Sequence, residues 1–442
     1  MSQSKMTVGI YTLGCKVNQY ESEAIAERFS AHGFCVVSPA LACNVYVINT
    51  CTVTAESDRK ARQFIRRAIH KNPNAYILVT GCMAQTAADK IAAIEGVDYI
   101  CGNANKLSVV DAAIRLFDVG CKNTIPEINL LAPDANGFEK MCISRFDRTR
   151  AYIKIEDGCE NRCTYCIIPS ARGTVRSKKP EDILQEITQL VQNGCREVVL
   201  TGIETASYGK DLDGYGLADL LEAVDAIPGI ERVRLGSLDP SLMKQPFVDR
   251  ISKLKSLAPH FHLSLQSGSD RVLALMKRKY NSKMALEGMQ RLRHAMPGVQ
   301  FTTDVIVGFP QESEENFADT VAFAKKARFL MIHIFPYSKR AGTVAASMPE
   351  QIPEPIKHAR LKELSVVQEE IRKEILTSYV NTVQDVLFET YSNGMLYGHT
   401  KEFIEVSCPG NTKLVAEIHP VFITGSDEDR CSGTLYSKIE RG

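Results

Sequence analysis

The sequence predicts a multidomain α/β protein that ends in a small β-barrel, and three observations carry that expectation. Over residues 4–120, apolar strand-like runs alternate with helical patterns, as in an open doubly wound sheet. From 145 to 376 the alternation resumes as six βα repeats, which suit a partial (βα)6 barrel. From 378 to 441 the helical period stops, and short β-rich runs are parted by turns at Asn393-Gly394 and Pro409-Gly410-Asn411. Residues 121–144 hold Pro126, Pro133 and Gly137 without clear period and read as a linker.

In the first domain, strands are expected at Thr7–Leu13, Val45–Thr50, Tyr76–Gly81 and Val97–Ile100, because these runs read as buried parallel strands. Helices are expected at Glu21–His32 before Gly33, Ala55–Lys71 before Pro73, and Ala84–Ala93. The outline is flavodoxin-like. Cys15, Cys51 and Cys82 each follow a strand, in TLGCKVNQ, INTCTVT and VTGCMAQ. Strand C-termini of a parallel sheet share one edge, so these three distant residues can converge. Gly14 and Gly81 leave room for close backbone approach. The set reads as a three-thiolate iron–sulfur site; three small buried residues are the alternative. Cys101 also follows a strand and is left outside the set. Cys35 and Cys43 flank a short strand and read as core or surface thiols. The helix after Cys51 carries Arg59, Lys60, Arg62, Arg66, Arg67 and Lys71, a basic face for solvent or for RNA phosphates.

In the second domain, strands are expected at Ala151–Glu156, Glu197–Thr201, Arg232–Gly236, Phe261–Gln266, Phe301–Val307 and Leu330–Phe335. The helices between them are Pro180–Asn193, Leu217–Ala226, Pro246–Leu257, Asp270–Met276 with Ser282–Ala295, and Ser313–Ala327. The working face of such a barrel is at the strand C-termini. There lies GCENRCTYC, in which Cys159, Cys163 and Cys166 are spaced C-x3-C-x2-C. Thiolates this close wrap one metal centre. Structural zinc wants a fourth ligand, and none is near. Three suit a [4Fe–4S] cluster with one open iron; a zinc knuckle with a remote ligand, or plain buried thiols, are the alternatives. Basic groups cluster at Arg172, Arg176, Lys178 and Lys179, and at Lys277, Arg278 and Lys279, for phosphate or for solvent.

An amphipathic helix over Pro355–Leu376 ends the barrel. The β-rich tail holds five Lys/Arg against nine Asp/Glu, so any RNA contact there is local. The whole chain has a net charge of +1, which excludes binding of nucleic acid by bulk charge. No run of about 18 apolar residues is present, so no membrane partner is expected. Fourteen cysteines without a secretion signal read as thiols of a cytoplasmic protein.

The cysteine loop and the barrel around it resemble the radical S-adenosylmethionine (SAM) superfamily. The resemblance implies that SAM chelates the open iron and is cleaved by one electron to methionine and a 5′-deoxyadenosyl radical. It places Glu204, in TGIE, at the SAM amino group, Ser264 and Gln266 at the ribose, and Val305–Gly308 along the adenine. The tail resembles the TRAM domain, an RNA-binding module. With LGCKVNQYESE, NTCTVT and RTRAYIKIEDGCENRCTYCIIPSARG, nearly all 442 residues resemble the methylthiotransferases. Among their branches the words look like the one acting on N6-threonylcarbamoyladenosine at tRNA position 37. The isopentenyladenosine branch shows Gln-Met-Asn after the first cysteine, and the ribosomal-protein branch shows Pro-Lys-Asn. Lys16-Val17-Asn18 matches neither.

This resemblance implies two [4Fe–4S] clusters, one on Cys15, Cys51 and Cys82 and one on Cys159, Cys163 and Cys166, with SAM as the other cofactor. One SAM methylates sulfur held at the first cluster, a second yields the radical, and carbon 2 of the adenine exchanges hydrogen for methylthio. The partners implied are a tRNA anticodon stem-loop and a reductant protein such as flavodoxin or ferredoxin. Lys16, Arg172 and Arg176 are the expected partners of the substrate carboxylate. An isopentenyladenosine tRNA, a ribosomal protein as substrate, or a non-catalytic iron–sulfur RNA-binding role are the alternatives.

Overall fold

The computed structural model describes residues 6–122, 124–146 and 149–436; the domain ends expected at 4–5 and 437–441 lie outside the described residues. The first sheet has six parallel strands in the order Cys35–Val37, Thr7–Thr12, Val45–Thr50, Tyr76–Gly81, Tyr99–Cys101 and Glu127–Asn129. Val45–Thr50 and Tyr76–Gly81 are buried throughout, as unbroken apolar runs between two helix layers must be.

Four local expectations change here. The first helix runs Lys16–Ala31, starting directly after Cys15 rather than at Glu21. The expected helix Ala84–Ala93 is two short ones, Cys82–Thr86 and Ala88–Ala92, parted where Ala87 takes a φ of −149°. A further helix, Ser108–Val119, packs Val109, Val110, Ala113 and Leu116 into the sheet's core. The linker is tied down at both ends: Glu127–Asn129 adds the edge strand, and Met141 and Ile143 enter the core of the second domain.

The second domain holds parallel strands Arg150–Lys154, Glu197–Thr201, Arg232–Leu235, Ser237–Leu238, His260–Gln266, Gln300–Val307 and Met331–Pro336. They pair in chain order as an open barrel, with the third of the six expected strands divided at Gly236. Alternation decides what faces where. Ala151, Ile153, Val198, Leu200, Val233, Phe261, Leu263 and Leu265 join one apolar core beneath the helices. The intervening Arg150, Lys154, Arg234, His262, Ser264, Asp304 and His333 face the lumen. The expected helix Pro246–Leu257 is the shorter Gln245–Ile251.

Helix Glu354–Thr377 leads to a closed five-stranded barrel of Val383–Ser392, Met395–His399, Glu405–Pro409, Cys431–Leu435 and Ile418–Ser426. The loop after His399 seats against the N-terminal mouth of the larger barrel. Arg234 donates to the carbonyls of Thr400 (2.8 Å) and Lys401 (2.7 Å), and Arg232 to those of His399 (3.0 Å) and Asp385 (2.6 Å). Phe403 stacks on His260 with ring centroids 4.7 Å apart, and the Arg150 and Arg234 guanidiniums lie over its ring. Among the described residues, no helix is long and apolar enough to cross a membrane.

Candidate functional site

Cys15, Cys51 and Cys82 follow three neighbouring parallel strands, so the sheet itself gathers them at one edge. The approach is close enough to need glycine. Gly14 has a φ of +101°, and a Cβ there would lie 2.9 Å from the Cys51 Sγ. Gly81, at φ +99°, lies against the Thr50 backbone, where any Cβ would collide with the Thr50 carbonyl. Burial pushes the Cys51 thiol up to about 11, and Cys82 and Cys15 raise it further by their proximity. The Cys82 Sγ accepts from the Asn103 side chain at 3.6 Å. Cys101 is the last residue of its strand and is fully buried in the apolar core. Cys35 is exposed and starts the edge strand, and Cys43 is buried.

Cys159, Cys163 and Cys166 lie after the first barrel strand, half-buried. The Cys159 N–H donates to the Gly173 carbonyl (3.0 Å) and the Cys166 N–H to the Cys163 carbonyl (3.0 Å), which turns the chain within the loop. Burial raises Cys159 to about 11 and Cys166 to about 12, with the neighbouring thiols adding to it. Thiolates are the form that ligates iron, so cluster binding at these cysteines releases protons. Neither set is drawn within 4.8 Å as ligands of one ion are. Tetrahedral zinc, with Zn–S of about 2.3 Å, wants a fourth ligand and closer thiolates, whereas three thiolates suit a cluster with one open iron.

Glu204 stands beside this loop. Its Oε2 accepts from the Asn161 side chain at 3.2 Å, while its buried Oε1 has no partner. Burial, and then Asp239, pushes this carboxyl up to about 7. An orphaned buried carboxylate oxygen next to the cysteines fits the amino group of SAM. Ser264 and Gln266 lie on the lumen face, Gln266 ending its strand at φ +71°. Gly308 lies under Lys357, whose stem would collide with a Cβ, and its N–H donates to Glu312 at 3.1 Å.

The basic residues behave differently from the sequence-based expectation. Arg172 is fully buried and donates to Glu21, Asp157 and Asn18; Arg176 is buried against Asp157 and Lys178 against Glu186. None of the three reaches a phosphate or a substrate carboxylate, because each neutralises a carboxylate inside the protein. Arg278 turns inward too: it donates to the Cys163 Sγ (3.1 Å), to Asp239 (2.8 Å) and to the Ser264 carbonyl (3.0 Å). Sequence reasoning missed this role, since its partners lie in three other segments. Lys16 is solvent-accessible beside Cys15. Its amine is pushed down by burial and by Arg150 and Arg234, with Asp304 opposing.

The two cysteine sets are joined by one buried ionic network. Glu21 takes Lys154 (2.8 Å), Arg172 (3.0 Å) and Lys106, and Asp157 takes Lys154 (2.6 Å) and Arg172 (3.0 Å). Asn18, three residues after Cys15, accepts from Arg172 at 2.7 Å and donates to the carbonyls of Leu13 and Thr50. Asp157 lies two residues before Cys159. Each cysteine set therefore rests on the same rigid core.

Comparison with known proteins agrees with these features. Residues 153–324 match the radical SAM superfamily, and residues 7–102 match a family described as uncharacterized protein family UPF0004. A threonylcarbamoyladenosine tRNA methylthiotransferase MtaB of Bacillus subtilis is 39% identical over 98% of this chain and 97% of its own. The protein of that name from Thermotoga maritima is 37% identical over 96% and 95%. A tRNA-2-methylthio-N(6)-dimethylallyladenosine synthase of Syntrophus aciditrophicus is 34% identical over 95% and 92%. Among solved structures, the radical SAM methyltransferase TsrM of Kitasatospora setae shares the fold, with a TM-score of 0.56 at 13% identity, covering 78% of this chain and 74% of that one. The chain is a transferase of the methylthiotransferase family of radical SAM enzymes, of the MtaB type.

Proposed function

We propose that this enzyme methylthiolates carbon 2 of N6-threonylcarbamoyladenosine at position 37 of tRNA, with SAM and two [4Fe–4S] clusters. The observation that carries the reading is the pairing of two three-cysteine sets across one buried network, with Lys16 open to the space beside Cys15. The metal ligands in this reading are Cys15, Cys51 and Cys82 for the auxiliary cluster, and Cys159, Cys163 and Cys166 for the SAM cluster. When bound, the clusters and SAM supply the radical and the methylated sulfur that an unactivated aromatic C–H bond requires.

The chain's own residues bind and orient. Glu204 receives the SAM amino group through its unpaired oxygen. Ser264 and Gln266 take the ribose from the lumen face, and the Val305–Gly308 backbone borders the adenine. Arg278 holds Cys163, Asp239 and the Ser264 carbonyl in one frame. Lys16 brings a cationic group to the space beside Cys15. That charge suits the carboxylate of a threonylcarbamoyl group and gives a prenyl chain nothing to pair with. The domain division into 4–120, 145–376 and 378–441 is supported by apolar cores centred on each unit, with Tyr20 and Ala24 of the first entering the core of the second, and the last unit is the RNA-binding module. Arg59, Lys60, Arg66 and Arg67 remain exposed on helix Ala55–Lys71 and are available to anticodon-stem phosphates. A flavodoxin- or ferredoxin-type protein supplies the electron.

The test offers purified, cluster-loaded enzyme two anticodon stem-loops in competition, one bearing threonylcarbamoyladenosine and the other isopentenyladenosine. The product nucleosides are read by mass spectrometry. Preferential methylthiolation of the isopentenyl substrate overturns the substrate assignment and leaves the family chemistry standing.

A further inference from the structure

The lumen of the larger barrel holds a third group of metal-ligating side chains, outside both cysteine sets. His262, Asp304 and His333 stand on three neighbouring parallel strands, His260–Gln266, Gln300–Val307 and Met331–Pro336. One ligand atom from each lies within 4.8 Å of the other two. Asp304 and His333 are direct partners in the strand register. The His262 Nε2 is 3.2 Å from an Asp304 carboxylate oxygen, and the two imidazole rings are 5.7 Å apart. Among the described residues this is the group of His, Cys, Asp and Glu gathered tightly enough for one ion.

The surroundings orient the first ligand. The His262 Nδ1 is 2.9 Å from the Thr302 hydroxyl, which is also 3.1 Å from the His260 Nε2. With Nδ1–H donating to the Thr302 oxygen and the hydroxyl donating to His260, the His262 Nε2 carries a lone pair aimed at Asp304. In that state a cation between the two acceptors, 3.2 Å apart, satisfies both. The opposite orientation of the same chain puts a proton on Nε2 instead. Rotating the Thr302 hydroxyl and changing the tautomers interconverts the two states without moving a heavy atom. Such a neighbour bond on the second ring nitrogen is how proteins fix a metal-binding histidine. His333 is exposed to the lumen and brings the second imidazole.

We propose that His262, Asp304 and His333 form a mononuclear site for a divalent cation that prefers nitrogen and oxygen ligands. Two imidazoles and one carboxylate, with no thiolate, select a first-row ion of the manganese-to-zinc series over an iron–sulfur cluster. Three protein ligands leave further coordination positions open. The site does not depend on the identity of the substrate.

The experiment uses the anaerobic, cluster-loaded full chain with Mn²⁺ as the probe, because manganese binds thiolates poorly. Loss of the free-ion EPR signal gives stoichiometry and affinity, and pulsed EPR reads nitrogen coupling to the bound ion. One equivalent with coupling to imidazole nitrogen is expected, weakened at least tenfold by Asp304→Ala and by His333→Ala with iron content unchanged. His333 is exposed, so its variant keeps the test open if Asp304→Ala does not fold. Absence of a stoichiometric site in the wild type, absence of nitrogen coupling, or equal binding by wild type and His333→Ala overturns the proposal.

Discussion

The Arg172 guanidinium donates to both carboxylate oxygens of Glu21, at 3.0 and 3.2 Å, across the boundary between the first sheet domain and the larger barrel. Both side chains are fully buried. Glu21 is shared with Lys106 and Lys154, so three cations converge on it, and Asp157 balances two of them. Through Asn18 and Asp157 the pair is tied to the segments that carry Cys15 and Cys159.

Removing Glu21 leaves Lys106, Lys154 and Arg172 with a single carboxylate, Asp157, among them. Breaking one partner out of a buried ion network costs about 3–5 kcal/mol. Glu21→Ala is expected to lower the thermal midpoint sharply, read by circular dichroism on cluster-loaded protein. A midpoint unchanged from wild type would show that the network contributes nothing.

Acid should act at the same place. The three cations hold the Glu21 carboxyl well below its usual range, and Arg172 and Lys154 hold Asp157 low. In the unfolded chain these groups take up protons near pH 4. Their stabilisation is therefore complete above about pH 5 and is lost as pH falls toward the depressed folded values. Thermal midpoints measured from about pH 6 down to pH 3 should fall more steeply for wild type than for Glu21→Gln. Parallel curves would contradict this.

Iron should divide between two sites. Reconstituted protein is expected to hold about eight irons, and replacing Cys159, Cys163 and Cys166 by Ala should remove about half. Iron analysis showing all or none retained refutes two independent sites. Iron still bound after the further loss of Cys15, Cys51 and Cys82 would bring in Cys101.

Glu204 must be ionised to receive an ammonium group, and burial raises its carboxyl to about 7. SAM affinity is expected to weaken as pH drops through that value, because the protonated fraction grows. Glu204→Gln removes a hydrogen bond to a charged group, worth about 1.5–3 kcal/mol, so affinity should fall by at least about tenfold. It should also lose its pH dependence. Equilibrium binding of SAM at several pH values decides it, and a variant as pH-sensitive as wild type excludes Glu204 as the titrating group.

Lys16→Met should raise KM for the threonylcarbamoyl stem-loop by about tenfold, the loss of one charged contact. It should leave SAM cleavage and iron content unchanged. An equal KM for both forms would move carboxylate recognition elsewhere in the lumen.

The placement of the cysteines at strand ends was legible because its logic is local or topological. C-x3-C-x2-C is read within one loop, and Cys15, Cys51 and Cys82 need only a parallel sheet to meet. The roles of Arg172 and Arg278 were not legible. Arg172 answers to Glu21, 151 positions away, and Arg278 to Cys163, 115 away. A basic run looks the same whether it faces water or neutralises a buried carboxylate. The break at Ala87 escaped notice because alanine favours helix and the interruption is set by tertiary packing. The lumen triad left a trace that strand alternation could have exposed. His262 stands two residues before Ser264 on one face of its strand, and Asp304 and His333 hold matching positions on the next two.

Phe403 and its loop make the C-terminal unit a stopper for the larger barrel. With Phe403 between His260 and His399, and Arg232 and Arg234 spent on the loop's carbonyls, the C-terminal unit covers the base of the larger barrel. Anything reaching the cysteines enters from the rim where they stand, and a bound macromolecule covering that rim shuts the chamber. The small barrel is thus part of the reaction vessel's wall. Cutting the chain at Ser378 would strip four carbonyls from two buried guanidiniums and flood the lumen from below.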